Sequence, residues 1–106
     1  MHRPIQFHKG KATLKLGELI GQGNGLLITL VTPQAPDVFN ETDQWSARAE
    51  QFLDAELGSG YVERFRNASG IPLVTWSNID AKHNSYAQGV SNRLTRLQQF
   101  SAELGK

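Results

Sequence analysis

Residues 21–32, GQGNGLLITLVT, constrain the fold more than any other stretch of the chain. A glycine-rich run ends in Asn24-Gly25, and an unbroken apolar segment follows. Asn-Gly supplies both positive-φ positions of a type I′ turn, the common short reversal between paired strands. In an extended chain Leu26, Ile28 and Leu30 face one side and Leu27 and Val31 the other, so both faces need a cover. The pattern predicts a β-hairpin whose second strand is buried on both sides.

The segments before it fit that picture. Residues 11–20 alternate, with Ala12, Leu14 and Leu16 set against Thr13 and Lys15, until Gly17 interrupts them. A strand with a bulge and a helical turn both accommodate this, and the strand is preferred because the Asn-Gly turn follows at hairpin distance. Ile5 and Phe7 place a short edge strand at 4–8. Two prolines and a polar cluster make 33–43 a loop leading into a helix, capped by Thr42 or Asp43 with Asn40 as a rival. Trp45, Ala49, Phe52, Leu53 and Leu57 form its apolar stripe, and Gly58-Ser59-Gly60 ends it. Tyr61, Val62 and Phe65 mark a further short helix.

Residues 71–76, IPLVTW, predict a second buried strand, with Pro72 near its start where a missing N–H is tolerated. A long final helix runs from about Ser85 to Leu104, carrying Tyr86, Val90, Leu94, Leu97, Ser101 and Leu104 on one side. A helical connection between two strands favours a right-handed parallel crossover. The fold class expected is therefore α/β or α+β: a small mixed sheet of three or four strands packed with two to three helices. One domain over residues 1–106 is expected at this length.

Composition narrows the chemistry. The chain has no cysteine, which excludes disulfides, thiolate metal sites and thiol nucleophiles, and suits a reducing, cytoplasmic setting. No apolar run approaches the length of a membrane span. Charge is segregated within a net +1: residues 21–63 hold Asp37, Glu41, Asp43, Glu50, Asp54, Glu56 and Glu63 against Arg48 alone. The segments on either side are basic. Such asymmetry marks a solvated acidic helix or complementary surfaces, within one molecule or between two copies.

Four constellations invite a chemical reading. The loop Gly21-Gln22-Gly23-Asn24-Gly25 has GxGxG spacing rather than the GxGxxG of a dinucleotide cradle, and no P-loop ending follows it. The better candidate is 75–85, between a strand's carboxyl end and a helix's amino end, where α/β sheets gather ligands. There Ser77, Asn78, Asp80, Lys82, His83, Asn84 and Ser85 make an anion- or phosphate-binding site. The plainer alternative gives Asn84 or Ser85 to a helix cap and Asp80 to a turn. Ser77, Asp80 and His83 also supply the residue types of a hydrolytic triad, but no nucleophile elbow accompanies them. His2, His8 and His83 form no metal signature, so neither metal nor cofactor is expected. Arg93 and Arg96 on the final helix offer a sparse nucleic-acid face, against which solubilising charge is the simpler reading.

Together these point first to a non-enzymatic interaction or regulatory domain that contacts a protein partner or a second copy of itself. A small-ligand domain or minor enzyme built on 75–85 is the alternative, and a weak nucleic-acid binder the second.

Overall fold

The computed structural model describes residues 9–105. The described chain is helical: α1 spans Lys9–Val31, α2 Phe39–Glu56, α3 Ser59–Arg66 and α4 Ala81–Leu104. No β-strand occurs among the described residues, so the expected mixed sheet, its N-terminal hairpin and its crossover strand are all overturned. The edge strand expected at 4–8 lies outside the described residues.

The largest correction is α1. Residues 11–20 and 26–31, read as two strands, belong to one continuous helix that runs straight through Asn24-Gly25. Asn24 does not adopt the positive φ that a type I′ turn demands. Ala12, Leu16, Leu19 and Leu30 are buried, and Gly23 lies in line with them, with Leu26 packed alongside. The steps of four, three, four, three and four residues are a helical seam. Gly23 contributes no side chain to that seam, so the stripe breaks into two shorter apolar patterns when read by hydrophobicity alone.

A Cβ on Gly23 would stand 2.5 Å from Trp45 Cζ2 and 2.6 Å from Leu94 Cδ2. The glycine is therefore where α1 closes on α2 and α4. Trp45 fills the space: its ring is fully buried, its Nε1–H donates to Leu19 O at 2.8 Å, and it meets Phe65 edge-on at 6.5 Å. Along α4, Ala87, Val90, Leu94, Leu97 and Phe100 supply the facing stripe, and α1 packs chiefly on this helix. At 1.5 Å per residue each of the two long helices is about 35 Å, long enough to pair from end to end.

The three later helices agree with expectation more closely. α2 buries Trp45, Ala49 and Leu53 as its spacing predicts, but begins earlier, at Phe39. None of the proposed caps is used: Val38 sits at the N-cap without a side-chain bond, and Thr42 Oγ1 donates back to Val38 O at 2.7 Å. Gly58, at φ 102°, makes the turn between α2 and α3, a conformation open chiefly to glycine. Ser59 and Gly60 already belong to α3. Bidentate pairs Arg66–Glu50 and Arg64–Glu103 hold α3 to α2 and α4 at the surface.

Residues 71–76, expected as a buried strand, form neither strand nor helix. Ile71 N–H donates to Ala68 O at 3.1 Å, and beyond it the hydrogen-bonding neighbours are side chains of α4. Asn84 pairs with the Trp76 peptide in both directions, accepting from its N–H at 2.8 Å and donating to its C=O at 3.0 Å. Gln88 Oε1 accepts from Val74 N at 2.6 Å, and Arg96 donates to Asn67 O and Ser69 O, each at 2.8 Å. Residues 67–80 thus form a strap antiparallel to α4, held by polar side chains at intervals of four or eight residues. A strand-like segment satisfied this way needs no sheet.

Candidate functional site

The expected 75–85 site divides around the N-terminus of α4. Asp80 is the N-cap, accepting from the His83 N–H at 2.8 Å, so Asn84 and Ser85 fall inside the helix rather than capping it. Asn78, Asp80 and His83 line a cavity of about 260 Å³ together with Thr32, Gln34 and Asp37 from the α1–α2 connection. Gln34 and Asn78 both have positive φ, 67° and 68°, so each wall carries one left-handed residue. Lys82 points elsewhere, its Nζ 4.4 Å from the centre of the Phe39 ring. Asn84 is committed to the strap. Ser85 lines a second hollow, and Ser77 is exposed.

At the first cavity His83 stands between two carboxylates. Its Nδ1 is 2.8 Å from Asp80 Oδ1 and its Nε2 is 3.1 Å from Asp37 Oδ1, with the side chain 18% exposed. A neutral imidazole has one N–H and satisfies one carboxylate; the imidazolium donates to both. The Asp80 hydrogen bond is the main influence raising the His83 pKa above its ordinary value, with the charges of Asp80 and Asp37 adding to it. Asp80 is held below the usual carboxylate range, first by the His83 backbone N–H and then by the ring. Because each ring nitrogen takes its own carboxylate, the three groups do not converge on a common point. Among the described residues no cluster of His, Asp or Glu could hold a metal ion.

This arrangement predicts a pH window. A raised histidine pKa stabilises the fold fully below its unfolded value, and that stabilisation is lost as pH climbs through the folded value. A depressed aspartate pKa acts at the other end, being lost as pH falls through the folded value. The contact between Asp37, His83 and Asp80 is therefore strongest from about pH 4 to about pH 6.5. Thermal melts should show the wild type losing stability from pH 6 to 8 relative to His83→Gln. Parallel curves for the two proteins would show the contact to be idle.

The second hollow lies between α2 and α4. It holds about 210 Å³ and is lined by Thr42, Asp43, Trp45, Ser46, Ser85, Tyr86, Gly89 and Arg93. Tyr86 OH donates to Asp43 Oδ2 at 3.2 Å. Ser85, Gly89 and Arg93 succeed one another at intervals of four, so two small residues open the groove and an arginine closes it. The two arginines read as a nucleic-acid face serve separate structures. Arg96 grips the strap, whereas Arg93 lies over the Phe65 ring at 5.8 Å and donates to Gly89 O at 3.3 Å.

Compared with protein-family models, curated proteins and solved structures, the chain matches none of them. Any functional reading therefore rests on its own surfaces. Among the described residues no helix is long and apolar enough to cross a membrane.

The surface that sequence reasoning missed is the outer face of α1. At 100° per residue, Gly10, Leu14, Gly17, Gly21, Gly25 and Ile28 share the side opposite the buried seam. Leu14 is 73% and Ile28 65% exposed, and nothing lies within 4 Å of a Cβ built on Gly17, Gly21 or Gly25. Charges occupy the flank instead, where Lys15 meets Glu18 at 3.6 Å. A solvent-facing helix surface without a charge over about five turns departs from the usual amphipathic pattern. Gly17, Gly21 and Gly25 at intervals of four were visible in the sequence, but turn chemistry claimed two of them.

Proposed function

We propose that the protein is a non-enzymatic interaction module that associates with a second copy of itself through the outer face of α1. The observation that carries this is the layout of that face. Leu14 and Ile28 lie seven residues to either side of Gly21, and Gly17 and Gly25 lie four to either side. A two-fold axis through Gly21 sets each leucine against the other copy's isoleucine and glycine against glycine, the self-complementarity an isologous contact requires. Small residues at this spacing let two helix backbones approach closely.

Charge selects the antiparallel arrangement. Lys11 and Lys15 flank one end of the face, and residues 24–31 at the other end are uncharged. Antiparallel pairing sets the lysines beside the uncharged end, whereas parallel pairing brings like charges together. The glycines support the same reading. Each costs the isolated helix about 1 kcal/mol relative to alanine, and Gly17, Gly21 and Gly25 gain no close contact within the single chain. One helix pair falls short of the roughly 800 Å² per partner of a standard interface, so the dimer is expected to be weak and reversible. With no cysteine to oxidise, such a contact suits a cytoplasmic protein.

Sedimentation equilibrium tests this. The wild type should shift from monomer to dimer with rising concentration, and Leu14→Glu should stay monomeric with unchanged circular dichroism, since Leu14 is largely exposed. A wild type still monomeric at about 1 mM, where an association of roughly −4 kcal/mol becomes appreciably populated, would overturn the proposal.

A further inference from the structure

Arg93 differs from every other arginine among the described residues. Arg64 and Arg66 each hold a carboxylate with two bonds, Arg96 grips two backbone carbonyls, and Arg48 donates to Gln22. Arg93 makes one hydrogen bond, 3.3 Å from Nη1 to Gly89 O, and its Nε is buried without an acceptor. A guanidinium has five N–H donors and is charged at any accessible pH. The buried Nε–H carries a desolvation cost, and Nη2, which makes no hydrogen bond and is not sealed in, is left open to an acceptor in the groove that Arg93 lines.

The groove beside it has room for one. Its 210 Å³ is enough for a small anion. Ser46 and Ser85 line it from opposite helices, and neither hydroxyl bonds a described protein group. They supply neutral donors on either side of the guanidinium. Asp43 lines the same groove, with one carboxylate oxygen taken by Tyr86 OH. Its charge opposes a dianion and tolerates a monoanion better.

We propose that the groove between α2 and α4 is a binding site for a small monocarboxylate, held by the Arg93 guanidinium and the Ser46 and Ser85 hydroxyls. Arginine suits this task because its planar fork matches the two oxygens of a carboxylate. Gly89 keeps the fork in place, since a Cβ there would come within 3.0 Å of Arg93 Nη1. The site is independent of the α1 face, so dimerisation can fail without touching it.

The probe is acetate, added at constant ionic strength against sodium chloride and followed by the Arg93 Nε–H signal in ¹H–¹⁵N spectra. The expected result is a saturable shift of that signal and of the Ser46 and Ser85 amides, with chloride producing neither. Arg93→Lys keeps the charge but loses the fork, and should weaken acetate binding about tenfold when followed by the two serine amides. Ser85→Ala, on the exposed rim, should weaken it less while leaving the melting temperature unchanged. An unmoved Nε–H signal, an equal response to chloride, or undiminished binding in Arg93→Lys would each overturn the site.

Discussion

Gly23→Ala is expected to destabilise the protein by about 1–3 kcal/mol, although alanine is the better helix former. Propensity alone favours the substitution by about 1 kcal/mol. Packing opposes it more strongly, because the new methyl would meet Trp45 at 2.5 Å and Leu94 at 2.6 Å. Both neighbours are buried, so neither can swing into solvent. Gly17→Ala and Gly21→Ala provide the internal control. Their Cβ positions are open, so each should stabilise the monomer by about 0.5–1 kcal/mol. Urea denaturation at low protein concentration should show midpoints moving in opposite directions with similar slopes. If Gly23→Ala moves with the controls, α1 does not close on Trp45 as described.

The largest loss should come from Trp45→Ala, about 3–5 kcal/mol against a total of about 5–15 kcal/mol for a domain of this kind. Trp45 is fully buried and is the side chain through which α1, α2 and α3 meet, by way of Leu19, Gly23 and Phe65. Alanine leaves a void that helices anchored at both ends cannot readily close. Trp45→Phe should cost less. It loses the bond to Leu19 O, worth about 1 kcal/mol, while that carbonyl keeps its intrahelical partner. The phenyl ring also vacates the volume nearest Gly23. Gly23→Ala combined with Trp45→Phe should therefore be less destabilised than the two single changes added together, by about 0.5–3 kcal/mol. Far-ultraviolet circular dichroism is the appropriate readout, because substituting Trp45 alters the fluorescence. Strict additivity would place the two residues out of contact.

Legibility along the chain tracked how much of each pattern its own side chains carried. The stripes Trp45–Ala49–Leu53 and Val90–Leu94–Leu97 were complete in the sequence, and both helices were found. α1 was not, because the member of its seam that matters most has no side chain. Asn-Gly is a strong local turn signal, but its preference amounts to a kilocalorie or so. Burying Leu16, Leu19 and Leu30 on one helical face outweighs it, at about 1.5–3 kcal/mol for each side chain. Residues 71–76 misled for another reason. They read as a strand, but their backbone partners are the side chains Asn84 and Gln88, which no strand-pairing rule anticipates.

The candidate site divided in the same way. Asp80 and His83 were legible as near neighbours in a segment leading into a helix, but Asp80 rather than Asn84 or Ser85 proved to be the cap, which sets it against His83. Asp37 lies more than forty positions from both and arrives only when α1 and α4 pack. Arg93 was legible as charge, whereas the fact that no carboxylate hydrogen-bonds it is visible only once Glu50 and Glu103 are seen paired with Arg66 and Arg64. Local spacing thus specified that α2, α3 and α4 form and much of what they turn inward, though not their N-terminal bounds or the burial of Ala87 and Phe100, because those choices depend largely on neighbours within two turns. Whether residues 9–31 became a hairpin or a helix was settled by what packed against them. A glycine gains stability from contact only when another element fills the space it leaves, and that element, Trp45, comes from a different helix.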